Sequence, residues 1–282
     1  MIPSQYSGMM ALTAALLLAA GIGCGGDDSA GSGGTGSGTG SGAGTGVGGN
    51  LFPTTGPGGA QSGGAGGGGC NPALLGIVRD FRAYDNGAGH PDFETFSGDG
   101  LQGIVENELG TDHKPVYAHN GGTEHTTGPE AYDQWYRDTD GVNIPVEFTI
   151  TPTVDENGIA TYDNDAFFPI DGQGFGDEGN PHNYHFTFEL HMTFVYKGGE
   201  IFTFTGDDDL WVFANNRLAI DLGGLHEAQS DTLDLDDRAG ELGIEIGEEY
   251  ALDLFHAERH TVASNFRIQS SLEFTNCNPI VY

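Results

Sequence analysis

Residues 206–226 read GDDDLWVFANNRLAIDLGGLH, and the rest of the domain is organised around them. Three consecutive carboxylates, at positions 207–209, stand directly between two runs of strand-forming residues, 201–205 and 210–214. Repulsion makes three adjacent negative charges at the start of a strand unfavourable unless water or a cation screens them. This placement is the strongest functional clue in the sequence.

A tight turn follows the second of these runs. The pair Asn215-Asn216 tolerates the positive φ that such a turn requires, so residues 217–221 are predicted to return as the other strand of a hairpin. Apolar and polar residues alternate over 185–196 with Val195 as the one exception, which predicts a strand that is buried on one face and solvated on the other. Many short strands separated by closely spaced turns indicate an all-β fold, an antiparallel β-sandwich.

The aspartate triplet has two interpretations. Asp207, Asp208 and Asp209 form either a solvated acidic turn or a site for a hard cation such as calcium, which gathers oxygen ligands from neighbouring loops. The candidate ligand-binding residues that follow the triplet are Asn215, Asn216, Asp221 and His226. Both interpretations stay open, because a linear sequence does not show which of these oxygens converge.

The excess of acidic over basic residues limits the kinds of molecule that the protein is expected to bind. Lys and Arg total 9 against 41 acidic residues, which gives a formal net charge of −32. Nearly all of these charges lie after residue 70, so the folded region itself is strongly acidic. Such a field repels phosphate backbones and anionic membrane surfaces, and it favours cations or neutral, hydroxyl-rich partners. Nucleic acid is therefore not expected as a ligand.

The N-terminal segment predicts export. The apolar run 11–20 is too short to span a bilayer and suits the core of a signal peptide, residues 1–23. Cys24 follows small residues and resembles a bacterial lipoprotein processing site, so it is predicted to carry a lipid. Residues 24–69, rich in Gly, Ser and Thr, are then a disordered tether. The expected location is the outer membrane or cell surface, held only by the lipid, with simple secretion as the alternative.

Matching Cys-Asn-Pro triplets begin at Cys70 and Cys277, at the two ends of the predicted folded domain, residues 70–282. An exported chain meets an oxidising compartment, so a disulfide between these cysteines is expected. It would close a loop of about 200 residues and stabilise the domain by several kcal/mol in the chain-entropy model. The alternative is two unpaired thiols.

Motifs for catalysis are weak. Residues 256–260 read HAERH, but the zinc-protease motif needs its glutamate one position earlier and a helix, whereas residues 250–255 alternate as a strand. Arg259 is expected to point away from its neighbours and to pair with an acidic group. No nucleophile elbow, Walker loop or dinucleotide fingerprint is evident in the sequence, which favours a binding module over an enzyme.

A series of segments resembles the fibro-slime domain. Those nearest the triplet and after it are residues 202–213, 221–226, 254–260 and 264–268, and the upstream landmarks are 90–93, 114–117, 135–136, 167–169 and 182–187. The resemblance covers nearly everything from Leu74 to Phe274. The ordered series is far more specific than any single motif.

The resemblance implies a β-sandwich similar to the PA14 domain, found in bacterial and slime-mould extracellular proteins as a carbohydrate-binding or adhesive module. In lectin-like members, two adjacent aspartates joined by a cis peptide hold calcium, which coordinates sugar hydroxyls, and the resemblance places that pair at Asp207-Asp208. The expected function is a surface-tethered, non-catalytic module that binds extracellular glycan or mediates adhesion with calcium. A structural matrix component without a specific ligand and a polysaccharide hydrolase are the alternatives.

Overall fold

A computed structural model describes residues 73–275 of the chain. The predicted signal peptide 1–23, the tether 24–69, the lipidation site Cys24 and the disulfide partners Cys70 and Cys277 lie outside these residues. Within them no helix has the length and apolar character needed to cross a membrane. The eleven strands and two helices of this range are β1 Leu74–Phe81, α1 Pro129–Tyr132, β2 Asn143–Ile150, β3 Thr153–Val154, β4 Ala160–Asn164, β5 Phe186–Val195, β6 Ile201–Gly206, β7 Asp209–Ala214, β8 Arg217–Leu222, β9 Gln229–Asp234, α2 Leu235–Leu242, β10 Glu249–Glu258 and β11 Phe266–Ser270.

The strands form two antiparallel sheets, which confirms the predicted β-sandwich. One sheet has six strands in the order β2-β1-β5-β10-β7-β8, and the other has five in the order β3-β4-β11-β6-β9. The main core contains residues from both sheets, including Phe188 and Leu254 of the first and Phe204 and Phe266 of the second. Burial of such large apolar side chains contributes about 1.5–3 kcal/mol each to folding.

The aspartate triplet lies where the chain passes from one sheet to the other. Strand β6 ends at Gly206 in the five-stranded sheet, and β7 begins at Asp209 in the six-stranded sheet. The predicted hairpin is confirmed as β7–β8, whose turn residues Asn215 and Asn216 have φ of 50° and 60°. The triplet is therefore at the crossover end of β7, and the asparagine turn is at the other end.

A second core lies on the outer face of the six-stranded sheet, beneath residues 82–142. It joins Trp211 and Phe213 of β7 and Phe255 of β10 to aromatic residues of this covering segment, including Tyr132 and Trp135. We call residues 82–142 the cover. Because β7 is buried on both faces, its residues 210–214 are all apolar, as is usual for a central strand covered on two sides, whereas β10 carries buried polar residues, including Asp253 and His256, among its apolar ones.

The prediction that β5 has one solvated face is wrong, since the cover buries that face as well. Glu189 on this face lies 3.0 Å from Arg79 Nη1 and 2.6 Å from Lys114 Nζ, and all three side chains are buried. His191 Nδ1 lies 2.7 Å from Asp253 Oδ1, also buried. These polar residues alternate with apolar ones as on a solvated strand, but they form a buried ion-pair network.

Residues 233–236 read LDLD, an alternation that predicts a short strand, but the structure divides them between two elements. Strand β9 ends at Asp234, and helix α2 begins at Leu235. The Asp234 side chain accepts hydrogen bonds from the backbone N–H groups of Asp236 and Asp237, and Gly243 closes the helix in the left-handed conformation. The alternation of Leu233 and Leu235 indicated a strand, although Asp234 and Gly243 are the residue types that usually begin and end a helix.

Removal of this cap should have a measurable effect. We expect Asp234→Ala to lower the free energy of unfolding by about 0.5–2 kcal/mol, because two N–H groups of α2 lose their acceptor. Urea denaturation of the variant beside wild type measures the change. Asp165→Ala, at an exposed position, is the control and should leave the midpoint unchanged within error.

Candidate functional site

A pocket of about 480 Å³ opens at the sheet crossover. Its polar lining includes Asp207, Asp208, His226, Glu258, His260 and Asn265. Three different connections supply these side chains: the β6–β7 crossover, the segment after β8, and the end of β10 with the loop that follows it. A site assembled from several loops at one edge of a rigid sandwich is a usual place for ligand binding.

Asp207 and Asn265 form one wall of this pocket. Both Asp207 oxygens accept from Asn265, Oδ1 from the backbone N–H at 2.5 Å and Oδ2 from the side-chain amide at 2.7 Å. His256 Nε2 lies 2.7 Å from the Asp207 backbone oxygen and fixes the crossover from beneath. The Asp207 carboxylate is therefore held in one orientation by a residue 58 positions away in sequence.

Asp208 lies beside Asp207, and the peptide bond between them is cis, as the fibro-slime resemblance implies for its calcium-holding pair. Its Oδ2 accepts a hydrogen bond from the Arg259 backbone N–H at 3.1 Å. Burial raises the pKa of the Asp208 carboxyl to about 7, with the charges of Asp209 and Asp207 adding to this rise and the Arg259 charge opposing it. Of the two interpretations of the triplet, the solvated acidic turn is wrong, because Asp207 and Asp208 are 6% and 7% exposed.

Asp209 does not share this environment, although the sequence analysis grouped it with its two neighbours. It is completely buried, and its Oδ2 lies 2.7 Å from Nε of the equally buried Arg259. Its Oδ1 accepts the backbone N–H of Gly224 at 2.6 Å. The expected pairing of Arg259 with an acidic group is confirmed, and Asp209 is an internal counter-ion that does not line the pocket.

The side chains predicted to add oxygens to the triplet are mostly elsewhere. Asn215 and Asn216 lie beyond the far end of β7, about 20 Å along the strand from Asp209 at 3.3 Å per residue. The Asn215 amide donates instead to the backbone oxygen of Leu242. Asp221 is nearer, but its carboxylate accepts from Trp211 Nε1 and the Gly103 backbone N–H, which fastens the cover to β8.

His226 is the one residue of that predicted set that lines the pocket. Its Nε2 lies 3.1 Å from the Leu222 backbone oxygen and its Nδ1 lies 2.8 Å from that of Glu227, so the ring orientation is fixed by main-chain groups. His260 also lines the pocket, and its Nε2 lies 3.7 Å from Glu94 Oε2. His256 lies in strand β10, so the structure confirms that residues 256–260 are not a helical zinc motif.

Glu258 is a pocket residue that sequence reasoning did not select. It is the last residue of β10 and 1% exposed. Burial raises the pKa of its carboxyl well above the usual range, and the negative charges of Asp208 and Asp207 raise it further. Within residues 73–275, no group of three or more His, Cys, Asp or Glu side chains is placed to hold a metal ion.

Asn265 was also missed as a site residue. Both Asn265 and Glu258 belong to segments that carry the fibro-slime resemblance, so a signal was present, but it assigned them no role. They reach the pocket only because β10 and β11 lie in different sheets and the loop between them closes over the crossover. Such convergence is a property of the topology and leaves no local pattern.

One protein-family model matches the part of the chain that supplies the crossover and the loop after β10, and therefore the pocket residues of both. Residues 146–280 match the model of the PA14 domain family. The PA14 match covers the chain from β2 through β11 and leaves out β1 and the cover.

Similar proteins occur in Dictyostelium discoideum. The chain is 40% identical over 216 residues to protein psiR and 38% identical over 215 residues to protein psiD. These alignments cover 70% and 71% of this chain but only 21% and 42% of the relatives, so this chain spans less than half of the length of either relative.

Among solved structures, the PA14 sugar-binding domain of an RTX adhesin aligns over 71% of this chain and 91% of the adhesin chain, at 12% identity and a TM-score of 0.32. The PA14 domain of the antifreeze protein MpAFP aligns at 12% identity and a TM-score of 0.30.

Proposed function

We propose that this protein is a non-catalytic extracellular module that binds carbohydrate or polysaccharide through the crossover pocket, with calcium held by Asp207 and Asp208. The observation that carries the proposal is the pocket itself. Two adjacent, immobilised carboxylates and the amide of Asn265 line an opening of about 480 Å³ at the edge of a rigid sandwich.

The donor set suits calcium. Carboxylate, amide and main-chain carbonyl oxygens are the ligands that this cation prefers, and it accepts six to eight of them in a flexible geometry. Asp207 and Asp208 would supply the charged ligands, and carbonyl oxygens, water or the bound partner would complete the shell. A divalent cation would also offset the electrostatic cost of two neighbouring buried carboxylates.

The surroundings favour a neutral, hydroxyl-rich partner. The carboxylates at the mouth of the pocket and the net charge of −32 disfavour an anionic ligand. Hydroxyl groups can both ligate calcium and hydrogen-bond to carboxylates and imidazoles, and those are the groups that line the pocket. A structural matrix role without a specific ligand and a polysaccharide hydrolase remain the alternatives, and both are distinguished by the binding assay below.

Location belongs to the same proposal. Export by residues 1–23, lipidation of Cys24 and a disulfide between Cys70 and Cys277 would place the module outside the cell, on the outer membrane or cell surface. The tether 24–69 would then carry the pocket away from the lipid. Membrane contact would be made through the lipid alone.

The decisive experiment compares wild type with Asp207→Asn and Asp208→Asn, using Asp165→Asn as a control at an exposed position. Isothermal titration with CaCl₂ should show one site in wild type and in the control, and an affinity at least tenfold weaker in each site variant, because each loses a charged ligand.

A glycan array probed with and without EDTA should show calcium-dependent glycan binding, strongest in wild type and the control and weaker in the two site variants. Equal calcium affinity in all four proteins would contradict the calcium claim. Release of reducing sugar from array-positive glycans would favour the hydrolase instead, and an array on which wild type binds no glycan would favour the structural matrix role.

A further inference from the structure

The cover supplies part of the lining of the crossover pocket, because Ser97 and Gly98 line it together with residues of the sandwich. Ser97 is exposed, and its hydroxyl makes no hydrogen bond to any residue of the described range. Among the described residues, no other Ser, Thr or Tyr lines this pocket. Ser97 therefore presents a free hydroxyl that a molecule in the pocket can reach.

The chain before Ser97 is fixed to the loop after β10. The Glu94 backbone N–H donates to the Arg259 backbone oxygen at 2.9 Å, and Glu94 Oε1 accepts the backbone N–H of Thr261 at 2.6 Å. Glu94 has a φ of 66°, in the left-handed region that favours glycine, so its conformation carries an energetic cost. The two hydrogen bonds offset this cost and hold the start of the segment against the pocket loop.

The chain after Ser97 is fixed to the segment that follows β8. The Gly100 backbone N–H donates to the Leu225 backbone oxygen at 2.8 Å. Gly98 packs against the ring of His125 so closely that a Cβ at this position would collide with it. His125 Nδ1 in turn accepts the backbone N–H of Leu225 at 2.9 Å. Because the chain is held on both sides of Ser97, its hydroxyl has a defined position between two of the connections that build the pocket.

We propose that Ser97 is a specificity-determining residue of the crossover pocket, whose hydroxyl forms a hydrogen bond with one hydroxyl group of a bound neutral saccharide. This inference rests on the proposed carbohydrate-binding function and adds to it a contact from the cover. A serine hydroxyl can both donate and accept, as a saccharide hydroxyl can, whereas an ionised carboxylate only accepts. Since the backbone on both sides of Ser97 is already ordered, little conformational freedom is lost when the contact forms. The family match, residues 146–280, leaves out the cover, so this contact adds to the PA14-matching part of the site.

The test uses the full chain as wild type, Ser97→Ala and Ser97→Thr, with Thr151→Ala as a control at an exposed position outside the pocket. An array of neutral, amino and acidic saccharides in calcium first identifies the neutral saccharide that wild type binds most strongly. We expect Ser97→Ala to bind it about three- to tenfold more weakly, which corresponds to the loss of one hydrogen bond. Ser97→Thr keeps the hydroxyl and, like the control, should stay within about twofold of wild type. Calcium affinity and melting temperature should be the same in all four proteins, because Ser97 has no contact within the described range to lose.

Monodeoxy analogues of that saccharide locate the contact. In wild type, removal of the ligand hydroxyl that Ser97 contacts should weaken binding about three- to tenfold. Ser97→Ala should bind this analogue and the parent saccharide equally, because the partner of the hydroxyl is already absent. The other analogues should show the same penalty in both proteins.

Each other outcome overturns a distinct claim. If every analogue carries the same penalty in wild type and in Ser97→Ala, Ser97 does not contact the ligand, and the proposed function stands. Equal losses in Ser97→Ala and Ser97→Thr would show that the hydroxyl is not the group that matters. A lower melting temperature or a weaker calcium affinity in Ser97→Ala would make its role structural. Binding restricted to charged saccharides would refute the ligand class, and no saccharide binding by wild type would remove the proposed function and this inference with it.

Discussion

Replacement of Arg259 by methionine should destabilise the domain by about 3–5 kcal/mol, because it leaves the completely buried Asp209 carboxylate without its counter-ion. The loss extends beyond the ion pair. Arg259 Nη1 also donates to the backbone oxygens of Asp92 and His125, and its guanidinium lies 4.6 Å from the ring centre of Trp135. Equilibrium denaturation in urea measures the change directly.

Arg267→Met is the matched control for this experiment. Arg267 also forms an ion pair, 3.5 Å from Asp163, but both side chains are about half exposed, so its loss should cost less than about 1 kcal/mol. Arg259→Lys should lie between wild type and Arg259→Met, since an ammonium group keeps the positive charge beside Asp209 but cannot reproduce the fork of a buried guanidinium. A cost below about 1 kcal/mol for Arg259→Met would contradict the role given to Asp209.

The second large effect concerns Glu189 and acid. Burial acts to raise the pKa of Glu189, but the hydrogen bond with His191 and the charges of Arg79 and Lys114 outweigh it and lower the pKa to about 2. A carboxyl with a folded-state pKa below its unfolded value of 4.5 stabilises the protein above pH 4.5. That contribution, on the order of 3 kcal/mol, should be lost as the pH falls from about 4.5 to about 2.

Urea denaturation of wild type and Glu189→Gln between pH 2.5 and 7 tests this assignment. At pH 7 the variant should be less stable by about 3–5 kcal/mol, because the buried Lys114 loses its carboxylate partner and the buried Arg79 keeps only its contact with Asp138. The difference between the two proteins should shrink toward low pH. Glu156→Gln, an exposed turn residue, should follow the wild-type curve. A constant difference at all pH values would show that Glu189 is not the group that titrates.

Local sequence patterns predicted the elements around residues 206–226 well. Strand-forming residues, the Asn215-Asn216 turn and the apolar run of β7 are short-range signals, and each acts within a few positions. The β-sandwich followed from their number and spacing. The helix α2 was missed because the alternation of Leu233 and Leu235 resembles a strand, although the cap at Asp234 was visible in the sequence.

The candidate site was predicted only in part, for reasons of distance along the chain. Asp207 and Asp208 were identified, but the Asn265 and Glu258 side chains come from residues 50 or more positions later. Asp209 is an aspartate like its two neighbours, so the sequence does not separate the three. Its inward orientation becomes visible only in the structure, where its carboxylate pairs with the buried Arg259. The cover has no regular periodicity, so nothing in the alternation of β5 indicated that its polar face would be buried.

Arg259 joins the pocket to the cover, and this contact determines the shortest fragment of the chain that should fold with an intact pocket. A fragment excised at the family boundary, residue 146, would lack β1, which pairs with both β2 and β5, and would expose two strand edges. It would also lack the two carbonyl acceptors that orient the guanidinium behind Asp208 and Asp209. A transplant of this module onto another scaffold should therefore begin before β1 and carry the cover with it.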